Sequence, residues 1–171
     1  MLGLKGLNKS QKGFTLLDVL TATAITGFIG AGISTVIFQL LNVNAINTNH
    51  LTAIKQVENA NYWLGRDAQM AQVVQPNGAS GFPLSLSWVE WDGKEHQVSY
   101  TLENGGLFRS QSIDGNEPGR TMVAAYINPN SALTNSQYAN GVFTIKITSS
   151  VGSYKPASET RISRVTPRSV P

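Results

Sequence analysis

Between Phe14 and Leu41 the chain runs for 28 residues with one charge, Asp18, and from Val19 to Leu41 it has none. At about 1.5 Å per residue a helix of that length reaches about 42 Å, more than the roughly 30 Å of a bilayer's hydrocarbon core. The run therefore predicts one membrane-spanning helix over residues 14–41. The segment ahead of it, MLGLKGLNKSQKG, carries Lys5, Lys9 and Lys12 and no acid. Basic flanks stay on the cytoplasmic side, which sends everything after Leu41 outward. A cleavable secretory signal would close its apolar core with an A-x-A arrangement. The only such triplet here, Ala22-Thr23-Ala24, falls in mid-run.

Charge divides the same way. Lys plus Arg number 13 against 10 Asp plus Glu, and without the three leading lysines the two signs balance. Bulk charge thus gives no support to a nucleic-acid partner. Cysteine is absent, so neither a disulfide staple nor thiol chemistry is available.

No proline occurs from Asn42 until Pro76, and helical spacing continues to about residue 75. Val43, Ile46, Ile54, Val57, Leu64, Ala68 and Ala71 fall in one arc, with His50 and Asn61 among them, and predict a face to be covered. Gly27, Gly30 and Gly32 each weaken the helix by roughly 1 kcal/mol relative to alanine and mark where it could loosen. After Pro76 the period becomes two. Leu84, Leu86 and Trp88 alternate with serines, Asp92-Gly93 turns, Val98, Tyr100 and Leu102 return, and Asn104-Gly105-Gly106 turns again before 107–113. This predicts a three-stranded antiparallel meander. Residues 114–141 read as a long loop with a short strand over 122–127, and 142–148 with 160–166 as a closing hairpin. The expected fold is α+β: a long amino-terminal helix packed against an antiparallel sheet, with residues 42–171 forming an exported globular domain. Trp63, Trp88 and Trp91 belong in its core or at a subunit contact.

Catalytic and metal motifs are sparse. GFIGAG at 27–32 follows no strand, so it does not read as a phosphate loop. DGNEPG at 114–119 offers Asp114, Asn116 and Glu117 as oxygen ligands but lacks the spacing of a calcium loop, and it reads as a turn. His50 and His96 are the only histidines and read as satisfied surface or interface residues. Ser80 lacks a hydrolase elbow. No metal, cofactor or enzymatic activity is expected.

Lys12-Gly13-Phe14-Thr15-Leu16-Leu17-Asp18, running straight into an apolar helix, resembles the amino-terminal motif of type IV prepilins and the related pseudopilins. The resemblance covers about forty residues. It implies a pilin-like fold, a leader (1–13) cut off after Gly13 by a prepilin peptidase, and methylation of the new amino terminus at Phe14. It also implies partners: other pilins or pseudopilins, an inner-membrane assembly platform and membrane lipid. The family usually has glutamate where this chain has Asp18, one methylene shorter. That acid is the expected docking charge, paired with the Phe14 ammonium of an adjacent subunit. Small residues at Ala22, Thr26, Gly30 and Ser34, and in a second row through Gly27, fit close helix packing.

The expected function is that of a structural subunit, minor or of the J or W type, in a type IV pilus or type II secretion pseudopilus. It would be a single-pass membrane protein before assembly into a surface or periplasmic filament. One alternative is a tip subunit that binds a surface or DNA through Arg161, Arg164 and Arg168, with Lys155 nearby. The other is a signal-anchored exported enzyme.

Overall fold

The computed structural model describes residues 13–78, 80–116, 119–153 and 156–168. The leader lysines, Glu117 and Lys155 lie outside these residues. The chain divides into two compact units, up to Asn44 and from Ala45 onward. Helix α1 (Leu16–Met70) supplies the described body of the first and the opening element of the second. The three glycines do not interrupt it. From residue 13 to residue 48 every side chain is exposed, Phe14, Phe28 and Leu41 among them. This part of α1 is long and apolar enough to cross a membrane.

The second unit is α+β. Its first sheet has the order β1-β2-β3-β4-β5, formed by β1 (Val73–Pro76), β2 (Leu84–Val89), β3 (Glu95–Glu103), β4 (Gly106–Ile113) and β5 (Gly119–Ala124). The second has the order β6-β7-β8, from β6 (Asn135–Ala139), β7 (Val142–Val151) and β8 (Ala157–Val165). All pairings are antiparallel. The Asn104-Gly105 turn joins β3 to β4 with both residues at positive φ, 50° and 74°. That is the backbone a two-residue hairpin of native twist requires.

Four expectations are corrected. Helix α1 ends at Met70, not near 75, because Val73 and Val74 are β-branched and extend to pair with Ser87 and Leu86. With β1 added at one edge and β5 at the other, the meander has five strands rather than three. Within the expected loop, Asn135–Ala139 forms β6, while the short strand of that region sits at Gly119–Ala124, three residues earlier than expected. Finally, the covered arc of α1 begins only at Ala53. Val43 and Ile46 are exposed, as is His50.

The core forms where Val57, Ala60, Leu64 and Ala68 of α1 meet Leu84, Leu86 and Trp88 of β2, Val98 and Tyr100 of β3, and Phe143, Ile145 and Ile147 of β7. Alanine at 53, 60, 68 and 71, all fully buried, lets the helix backbone approach closely. Several contacts tie the sheets together, two of them through the backbone. Ile127 bridges to Ser149, and the Ser136 amide of β6 donates to the Ser80 carbonyl at 2.9 Å.

Candidate functional site

Helix α1 begins with a reciprocal pair of hydrogen bonds. The Thr15 amide donates to Asp18 Oδ2 at 3.0 Å, and the Asp18 amide donates to Thr15 Oγ1 at 3.3 Å. This is a capping box: it gives the Thr15 amide its partner, while the Asp18 amide, shared with the Thr15 carbonyl at 3.0 Å, closes the first turn. Phe14 stands just before the cap and is 91% exposed. It lines a surface depression of about 350 Å³ together with Asp18, Val19, Ala22 and Thr26. Phe14 and Val19 occupy the two positions of a hydrophobic staple, which sets the angle at which the chain enters the helix.

The structure thus brings Phe14, Asp18, Ala22 and Thr26 to one side of the first turns, with Gly30 and Ser34 continuing that row. A Cβ at Gly13, Gly27 or Gly30 would meet nothing within 4 Å. The hydroxyls along these rows are already satisfied within the helix: Thr26 donates to the Ala22 carbonyl at 2.8 Å, Ser34 to Gly30 at 2.9 Å and Thr35 to Ala31 at 3.0 Å. Such hydroxyls can enter apolar surroundings without stranding a polar group.

The carboxy-terminal arginines are not gathered into one patch. Arg161 and Arg164 are three residues apart on β8, so they point to opposite faces of the strand. Arg161 faces α1 and lies 3.4 Å from Glu58, on the same side as Ser163, which bonds Asn61. Arg168 follows the strand. In the turn after β4, the Asp114 carboxylate accepts from the Glu95 amide at 2.9 Å and the Asn116 amide group donates to Ile113. Among the described residues no group of three or more His, Asp or Glu is placed to hold a metal ion.

A polar network under the last turns of α1 escaped sequence reasoning. Asp67, 2% exposed, accepts from the Tyr100 hydroxyl at 2.5 Å, from Arg109 Nε at 2.6 Å and from Arg109 Nη2 at 3.1 Å. Tyr100 and Arg109 are cross-strand partners on β3 and β4. The guanidinium of Arg109 also stacks 5.1 Å from the centre of the half-buried Trp63 ring. Burial and then the neighbouring Asp67 charge push the Tyr100 phenol far above its ordinary pKa. His96 is buried, not on the surface, and its ring lies parallel to Trp88 at 5.2 Å. Trp88 is in the core, whereas Trp91 is 96% exposed. The available signal was an acid at position 67, three residues after Leu64 and seven after Ala60 on the buried arc. An acid there requires a cationic partner.

No family model, curated protein or solved structure matches the chain.

Proposed function

We infer that the chain is a pilin-like structural subunit. It is inserted in the membrane as a precursor, cut by a prepilin peptidase between Gly13 and Phe14, methylated at Phe14, and assembled through the exposed half of α1 into a type IV pilus or a type II secretion pseudopilus. One observation carries this reading. The sequence motif KGFTLLD leads into an apolar helix whose residues 16–48 are all exposed, and the same helix goes on to cover the core formed with the antiparallel sheets. An apolar surface of that extent needs lipid or other protein around it. Lipid satisfies it before assembly. Because lipid tails are as apolar as leucine, only close packing and paired polar groups can then favour neighbouring helices over lipid. The open sites at Gly27 and Gly30, the internally satisfied hydroxyls and the single acid at Asp18 are features of that kind.

The test is the mass of the mature protein extracted from membranes. The reading expects an amino terminus at Phe14 carrying a methyl group, and a Gly13→Val variant that keeps its leader. A mature terminus beyond Leu17 would overturn it.

A further inference from the structure

A cavity of about 310 Å³ opens between the last turns of α1 and strands β2, β3 and β4, and its polar groups do not balance. Asp67 is saturated by Tyr100 and Arg109. Arg109 Nη1 also donates to Gln111 Oε1 at 2.8 Å, which turns the Gln111 amide nitrogen toward His96 Nδ1 at 3.4 Å. His96 Nδ1 is then an acceptor, and the proton of the neutral ring sits on Nε2. Two buried donors remain without an acceptor: Trp88 Nε1 and His96 Nε2. Both rings line the cavity, as does Arg66, which has no carboxylate within 4.0 Å among the described residues. The one acceptor without a hydrogen-bonded partner on this wall is Glu90. Its Oε2 stands 3.5 Å from His96 Nε2, and its side chain is 39% exposed.

We propose that this cavity binds a small organic carboxylate, which takes the place of the Glu90 carboxylate over His96 and accepts from His96 Nε2, Trp88 Nε1 and Arg66. Surplus donors call for an acceptor, since a buried donor without one costs its full desolvation. A monoanion suits the site better than a phosphate dianion. Asp67 cancels Arg109, and once Glu90 has moved outward Arg66 alone is left, one positive charge for one negative. Trp63, Met70 and Trp88 offer apolar wall to the body of the acid. Glu90, beside the exposed Trp91, rotates outward to admit it. This site lies wholly within the second unit and is independent of how the chain assembles.

Nuclear magnetic resonance of the full chain in non-ionic detergent tests the proposal, with the tryptophan indole N–H groups labelled and sodium benzoate, benzamide or inorganic phosphate titrated at constant ionic strength. One indole resonance is expected to move downfield saturably with benzoate and not with benzamide, and to be absent in Trp88→Phe. His96→Phe, which keeps the ring stack, should weaken benzoate about tenfold, the worth of one charge-assisted hydrogen bond. Glu90→Gln should bind more tightly than the parent. Acetyl-Gly-Phe with a free carboxy terminus, compared with its amide, separates the two sources of the group: response to the acid means that the site accepts peptide termini, and response to benzoate alone means that it takes free small acids. No saturable shift with any carboxylate up to tens of millimolar, tighter binding of phosphate, or unchanged affinity in both His96→Phe and Glu90→Gln would overturn the assignment.

Discussion

Asp18 holds the first amide of its own helix whether or not it later meets a neighbour, and the two roles are separable. Asparagine keeps an oxygen for the Thr15 amide but carries no charge. If the acid serves as the docking charge, Asp18→Asn and Asp18→Ala are both exported and cleaved yet recover partner pilins poorly in pull-downs, and Asp18→Glu recovers them normally. Removing one partner of a buried ion pair costs about 3 to 5 kcal/mol, against about 1 kcal/mol for loss of a cap. Normal recovery with Asp18→Asn would reduce the residue to a cap. A second residue, Tyr100, ties stability to alkaline pH. Its folded pKa is raised above the ordinary 10, so its contribution is fully present below pH 10. Above pH 10 the unfolded phenol ionises first and the contribution falls by about 1.4 kcal/mol per pH unit. In urea unfolding of the full chain in detergent, Tyr100→Phe should be less stable by roughly 1.5 to 3 kcal/mol at pH 8. The gap should close as the pH rises past 10, and a gap independent of pH would mean that the hydroxyl is not held as described. Asp67 went unnoticed in the sequence, although its position three residues after Leu64 was a signal that it would need partners. Which residues those are was not legible, because Tyr100 and Arg109 lie 33 and 42 residues away.

Among the elements, the ones that announced themselves carry their own turn chemistry. Asp92-Gly93 and Asn104-Gly105 bounded β2, β3 and β4 in the sequence, and Val142 marked the start of β7. Strands β1 and β6 had no such markers. Helical spacing runs unbroken through Ala71, so Val73–Pro76 read as more helix until pairing with β2 made it a strand. In β6, NSQYA, only Ser136 is buried, leaving no apolar alternation to detect; the strand exists because β7 offers it a ladder. Its seam with the first sheet depends on Gly81, which has φ +72° and has the Ser136 backbone where a Cβ would go, while Ser136 Oγ donates to the Gly81 carbonyl at 2.7 Å. Gly81→Ala must therefore both strain the backbone and part β6 from the 80–82 segment, at a cost of about 2 kcal/mol or more. Its urea midpoint should drop accordingly, while Gly93→Ala, with open space around it, should show only the strain of its positive φ.

At the scale of the whole molecule, the first element and the last complete each other. Ser163 and Arg161 of β8 reach Asn61 and Glu58 of α1 across 102 and 103 residues of sequence, and β8 closes nine register pairs with β7. A chain ending at Val151 should insert in the membrane normally. It should nevertheless be cleared by proteolysis much faster than the full chain in a pulse-chase, because the edge of β7 and one flank of α1 have lost their cover; equal survival would show that the core closes without β8. The same long-range closure has a consequence in time. Contacts separated by a hundred residues form only after the intervening loop has been paid for in entropy, and no part of the chain can supply β8 early. The apolar face of α1 meets β2 and β3 soon after its own end, but Phe143, Ile145 and Ile147 of β7, and the polar ties of Glu58 and Asn61 to β8, must wait for the last strands. Until β8 pairs with β7, the edge of β7 and the flank of α1 at Glu58 and Asn61 stay open, so the end of the chain is also the last seam of the domain to close.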